Sequence, residues 1–131
     1  MSMLERLRDA LRVDVSRETF EKVEAYATLL REESKRQNLI SSSTLDHLWE
    51  RHILDSAQLI RFEPHVGASW VDIGSGAGLP GMVLACLVEG PVTLIEPGAS
   101  APTFSTRRRR CCSCVSRWRA KRSSASAERT T

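Results

Sequence analysis

The chain concentrates its chemistry in the run DIGSGAGLPG at residues 72 to 81. An acid sits near the end of a short β-prone segment, Trp70-Val71-Asp72-Ile73, and glycines follow at positions 74, 76 and 78. Pro80 stands where a helix would begin, a place that tolerates its missing N–H. Glycines at a strand-to-helix turn let a ligand touch the main chain, and N–H groups at a helix start lack partners within the helix. Such a turn suits a nucleotide-like cofactor. Two patterns overlap here. Gly76, Gly78 and Gly81 fit GxGxxG, which alone is a weak signal; Asp72 with Gly74, Gly76 and Gly78 fits DxGxGxG, which also demands the acid. Glu96 ends a second β-prone run, Val92 to Ile95, 24 positions after Asp72. That is near the roughly 20-residue offset at which an acid meets ribose hydroxyls. The bland alternative is a tight turn and a glutamate in solvent.

The elements around this turn follow from periodicity. Leu4, Leu7 and Leu11 predict a short amphipathic helix over residues 3 to 12. Ser16 is placed to cap a second helix, with Glu18 near the positive end of its dipole. Phe20, Val23, Ala27 and Leu30 form its inner face to about Gln37, while Glu21, Glu24, Arg31, Glu32 and Lys35 face water. After a polar break at residues 38 to 43, a third helix is predicted over Thr44 to Arg61. Leu45, Leu48, Trp49, His52, Ile53, Ser56 and Leu59 lie along one side, and Pro64 and Gly67 end it. Gly81 to Val88 then reads as a buried helix between the two strands. The order is helices, strand, glycine turn, helix, strand: an α/β chain opening a doubly wound parallel sheet.

With those residues in view, the chain resembles the bacterial small-subunit rRNA methyltransferase G family, also called glucose-inhibited division protein B. The resemblance rests on Asn38-Leu39-Ile40-Ser41, on RHILDS at Arg51 to Ser56 and on DIGSGAGLPG, and it extends over residues 1 to about 97. RHILDS followed by GAGLPG at this distance is far more specific than any lone glycine motif. The resemblance implies a Rossmann-like class I methyltransferase that uses S-adenosylmethionine to methylate N7 of a guanine in the 16S rRNA of the small ribosomal subunit. It implies that the Gly74 and Leu79 positions line the cofactor pocket and that Glu96 is the ribose acid. Asp72, Gly74, Gly76, Gly78, Leu79 and Glu96 are therefore the expected cofactor residues. Guanine N7 carries an in-plane lone pair and no proton, and the sulfonium brings its own leaving group, so alignment can do most of the catalysis. No catalytic residue is assigned. His52 is read as a packing group or as one behind the site in preference to a reacting one. Arg51 either contacts RNA phosphate or pairs with Asp55 four residues on, and Asn38 is read as a turn former ahead of a ligand contact.

The family pattern stops where the composition changes. Residues 1 to 97 hold ten Lys+Arg against fifteen Asp+Glu, and residues 98 to 131 hold nine against one. The expected organisation is a helical region over 1–66, a partial cofactor-binding domain over 67–97 and a basic low-complexity tail over 98–131, disordered and incapable of building a core. That tail has eight Arg and seven Ser but a single branched aliphatic residue, Val115. Three readings of it compete. Arg107 to Arg110 with Trp118 and Arg119 resemble an RNA-binding arm. Cys111 and Cys114 make half of a zinc site, with no second pair to complete it, so no metal is expected. The third reading is an out-of-frame segment. One permitted set of codons for residues 99 to 115, read from the third base of the Ala99 codon, encodes KRADFLDAAAAVLLVR, a basic and then amphipathic helix.

Other classes are disfavoured. The longest apolar run, Met82 to Val88, is far below the roughly 18 residues of a membrane span, and Glu5 and Asp9 interrupt any export signal. A cytoplasmic monomer without membrane association is expected. The remaining alternatives are an NAD-dependent oxidoreductase fragment, suggested by GxGxxG with Glu96, and a small RNA-binding protein using the arginine-rich tail. A chain holding only the first strand-helix-strand unit is expected to be weakly active or inactive. Sequencing the coding DNA downstream of codon 97 tests the frame reading: a one-base change should open a long apolar-periodic frame, and if none does the reading is wrong.

Overall fold

The computed structural model describes residues 1–37, 40–74, 76–95, 104–106 and 118. Helix α1 (Met3–Leu11) begins with a reciprocal cap. The Ser2 hydroxyl accepts the Glu5 N–H at 3.2 Å, and the Glu5 carboxylate accepts the Ser2 N–H at 2.7 Å. That second bond holds the Glu5 carboxyl below its ordinary pKa. Leu4, Leu7 and Leu11 face the core as the periodicity predicts. Arg12, in the left-handed conformation at φ 56°, stops the helix. Arg8 then closes the turn to the next helix by donating twice to the Val15 carbonyl, at 3.1 and 2.9 Å.

Helix α2 (Arg17–Gln37) is capped by Ser16, whose hydroxyl accepts the Thr19 N–H at 3.1 Å. Phe20, Val23, Ala27 and Leu30 are buried, joined by Tyr26 on the same face. The third predicted helix is broken into pieces. A four-residue helix α3 (Ser42–Leu45) is followed by a π-helical turn over Trp49–Ile53, helix α4 (Leu54–Ala57) and a 3₁₀ turn over Gln58–Phe62. Each change of pitch rotates the inward face. Leu45 and Leu59, at the ends of the expected stripe, are consequently only half-buried, whereas Leu48, Ile53 and Ala57 are fully enclosed. Trp49 stacks at a tilt on Phe20, with ring centroids 5.8 Å apart.

Strand β1 (Trp70–Ile73) pairs in parallel with β2 (Val92–Ile95), Asp72 opposite Leu94 and Ile73 opposite Ile95. The crossover between them is α5 (Gly81–Leu87), with Pro80 just before its first turn. Gly81 through Cys86 are all buried, as a helix apolar on every side requires. Helices α2 and α4 cover one side of α5, and the strands cover the other. The first strand-helix-strand unit of a Rossmann-like sheet is thus present, and the N-terminal helices share one hydrophobic cluster with it.

Beyond residue 97 the described residues join this structure at two places. Strand β3 (Phe104–Thr106) runs antiparallel to β2 and so covers its outer edge. Trp118 is buried to 4% exposure and meets Tyr26 edge-on at 5.6 Å. Among the described residues no strand pairs the other edge of β1, and its outward side chains Val71 (59% exposed) and Ile73 (76%) stand in solvent. Arg107 to Arg110, Cys111 and Cys114 lie outside the described residues. No helix among those described is long and apolar enough to cross a membrane.

Removing the indole tests this use of the tail. Trp118→Ala should cost about 3 kcal/mol of stability, the usual loss for truncating a buried aromatic. Thermal or urea unfolding of the full chain measures it; an unchanged midpoint would show that Trp118 does not pack in the core.

Candidate cofactor site

The site is built where β1 ends and α5 begins. The Gly74 N–H donates to the Ile95 carbonyl at 2.7 Å, extending the parallel ladder by one step and bringing the carboxyl ends of both strands level. Asp72, half-buried, turns its carboxylate onto the start of α5 and accepts the Gly81 N–H at 3.0 Å. Nothing larger than glycine fits at position 81. A Cβ there would lie 2.6 Å from Leu94 Cγ and 2.8 Å from Asp72 Oδ2. The acid therefore ties strand to helix directly.

This changes the expected chemistry of the turn. The sequence suggests unpartnered N–H groups at the start of α5, yet Gly81 donates to Asp72, Met82 to the Gly78 carbonyl at 2.6 Å and Leu84 to the Pro80 carbonyl at 3.1 Å. Pro80 has no N–H to offer. Three of the first N–H groups of α5 are thus engaged within the protein, and the open part of the site lies earlier, at Gly74 and Gly76. Both have positive φ, 77° and 53°, both are exposed, and a Cβ at either would meet nothing within 4 Å. The space beside these two residues is open, and a side chain would enter it.

Gly78 faces the other way. At φ 94° it is buried, and a Cβ would lie 2.9 Å from Trp118 Cζ2, 3.0 Å from Met82 Cγ and 3.1 Å from the Tyr26 hydroxyl. Tyr26 also donates to the Ala77 carbonyl at 2.8 Å. Leu79 is half-buried and packs on the same cluster. The inner side of the loop thus rests on α2, and on the outer side a Cβ at Gly74 or Gly76 would meet nothing within 4 Å. Tyr26 was not singled out by motif, although it lies on the Val23, Ala27, Leu30 stripe and is the chain's single tyrosine.

The remaining candidates divide. Glu96 and Asn38 lie outside the described residues. Arg51 and Asp55 are exposed and do not pair, because the π-helical turn, in which the Leu54 N–H bonds to the Trp49 carbonyl, disrupts the four-residue spacing the pair needs. The pairing half of the Arg51 reading therefore fails. His52 is half-buried on that turn, and its Nε2 is enclosed without a hydrogen-bond partner. None of these three side chains bonds to the glycine loop among the described residues.

Comparison with known proteins agrees with this architecture. The family model for rRNA small subunit methyltransferase G matches residues 19–104. Among curated proteins, "Ribosomal RNA small subunit methyltransferase G" of Zymomonas mobilis is 48% identical over 92 residues, covering 64% of this chain and 42% of the relative. The protein of the same name from Chelativorans sp. is 49% identical over 94 residues, covering 69% and 44%. That of Sinorhizobium medicae is 47% identical over 105 residues, covering 77% and 48%. The chain thus spans less than half the length of these relatives. No solved structure matches it. A parallel strand-helix-strand unit with an acid-anchored glycine turn, matched by the family model over that same stretch, makes this chain a member of the rRNA small subunit methyltransferase G family.

Proposed function

We propose that the chain is the cofactor-binding front part of an S-adenosylmethionine-dependent methyltransferase that acts on N7 of a guanine in 16S rRNA. The observation that carries this reading is the bare outer side of the loop at Gly74 and Gly76, beside the level carboxyl ends of two parallel strands. In open α/β sheets that edge is where ligands bind. The residues present fit such a cofactor: the space above both glycines is the kind a Cβ would close. Gly74, Gly76 and Leu79 would hold it, and Glu96 would meet its ribose hydroxyls.

When bound, S-adenosylmethionine supplies an electrophilic methyl group with its own leaving group. The protein's share is to hold the loop and to keep its shape. Asp72 fixes the start of α5 against β1, Tyr26 fixes the Ala77 carbonyl from beneath, and Gly78 lets both helices close on the loop. An acceptor nitrogen without a proton needs no general base. Strand β1 has no described neighbour on its outer edge, and Val71 and Ile73 are uncovered. Cofactor binding without robust turnover is the behaviour this arrangement supports.

Differential scanning fluorimetry of the full chain with S-adenosylhomocysteine and, separately, with NAD tests the ligand class. The first should raise the melting temperature and the second should not. Gly76→Val, which fills the open space and strains a positive φ, should weaken S-adenosylhomocysteine binding by at least about ten-fold, roughly 1.4 kcal/mol. Stabilisation by NAD alone would replace this reading with an oxidoreductase. With labelled S-adenosylmethionine and 30S particles, any transfer should appear at guanine N7 and be slow; robust turnover would contradict the inactivity expected of this chain.

A further inference from the structure

The stretch up to residue 97 is acidic, ten Lys+Arg against fifteen Asp+Glu. The net charge of this stretch gives it no attraction for a polyanion, so any hold it has on one comes from cations gathered locally. The structure gathers three of the ten in one place. A cleft of about 340 Å³ opens between α1 and the stretch from α4 to the 3₁₀ turn, and Arg6, Arg12 and Arg61 line it together with Asp9 and Gln58. This is at the small end of ligand-pocket volumes, ~300–1,000 Å³.

Each guanidinium is held differently. Arg6 pairs with Glu50 at 3.1 Å, and Arg61 donates to the Ala10 carbonyl near the end of α1. Those contacts orient both groups and leave donors over, because a guanidinium has five. Arg12 follows the end of α1 in the left-handed conformation, exposed, and its side chain has no ion pair or hydrogen bond among the described residues. Asp9 is the one acid in the lining and Glu50 pairs with Arg6, so the three arginines still outnumber the two acids beside them. Guanidinium forks match phosphate oxygens bidentately, and phosphate contacts are what set a protein's position on nucleic acid.

We propose that Arg6, Arg12 and Arg61 form a docking point for the phosphodiester backbone of RNA, on α1 and the 3₁₀ turn and separate from the glycine loop. The proposal rests on the rRNA methyltransferase reading and names the contact through which an acidic body would hold its substrate. Arg12 supplies the unengaged fork, and Arg6 and Arg61 supply the walls.

The test uses the full 131-residue chain and a transcribed 16S rRNA fragment, with binding followed by fluorescence anisotropy through a salt titration. Arg12→Gly suits the left-handed backbone and removes only the side chain. It should weaken binding about four- to five-fold at ~0.15 M salt and lower the salt slope by about 0.7 to 0.9, the loss of one phosphate contact. Arg12→Lys should restore most of the affinity. Lys35→Gln, which removes one positive charge from the exposed face of α2, should leave affinity and slope unchanged, and all variants should bind S-adenosylhomocysteine equally. If Arg12→Gly and Lys35→Gln behave alike, or Arg12→Gly changes nothing, the docking point is wrong while the methyltransferase reading stands. If inorganic phosphate stabilises the parent chain through Arg12 but RNA binding ignores the substitution, the cleft is a small-anion site and the proposal fails. If no variant binds either RNA or S-adenosylhomocysteine, the methyltransferase reading fails with it.

Discussion

The fold is organised around a side chain that is missing. At Gly81 the main chain of α5 comes so close to β1 and β2 that a single methyl group would collide with Asp72 on one strand and Leu94 on the other. The absence of that methyl lets the Asp72 carboxylate reach the Gly81 N–H at 3.0 Å. One hydrogen bond to a charged acceptor, worth roughly 1.5 to 3 kcal/mol, thereby sets the distance between strand and helix. The intervening loop must span that distance, and it does so with left-handed backbone at Gly74, Gly76 and Gly78. The open surface at Gly74 and Gly76 is a consequence of that geometry.

The N-terminal helices are part of the same construction. The outer side of the loop can stay bare only if its inner side is supported, and the support comes from α2 through Tyr26 and from the tail through Trp118. Helix α5 is apolar all round, so it needs α2 and α4 over one side as much as the sheet beneath the other. The opposite face of the sheet has no such cover among the described residues, and Val71 and Ile73 are exposed. Cofactor chemistry and sheet completion are separable: the loop is shaped by elements that are present, and the outer sheet face lacks a described partner.

What could be read from the amino acids, and what could not, follows from the range of the interactions. Local signals were legible: the leucine spacing of α1, the Ser16 cap and inner face of α2, the β-branched runs of both strands and the glycine turn between them. The third helix was misread because a repeat of apolar residues specifies a face but not a pitch, and the π-helical turn at Trp49–Ile53 inserts a residue that periodicity does not see. The Ser2–Glu5 capping box is a local signal too, S-x-x-E at the start of α1. Asp72 was placed at the site by its motif, but its bond to Gly81 depends on how close helix and strand approach. Trp118 could not be placed at all, since a lone aromatic in an arginine- and serine-rich tail carries no local signal for the core it joins. Arg61 of the cleft is likewise far in sequence from Arg6 and Arg12, and only the packing of α1 on the 54–61 stretch brings them together.

The central claim is that the bare side of the loop at Gly74 and Gly76 is a binding surface for S-adenosylmethionine. Amide chemical shifts of the ¹⁵N-labelled chain, titrated with S-adenosylhomocysteine, test it most directly. The account predicts saturable shifts at Gly74, Gly76 and Leu79, with the amides of α1 unmoved. Saturable shifts confined to other parts of the chain, or none at ligand concentrations that saturate a full-length relative, would contradict it.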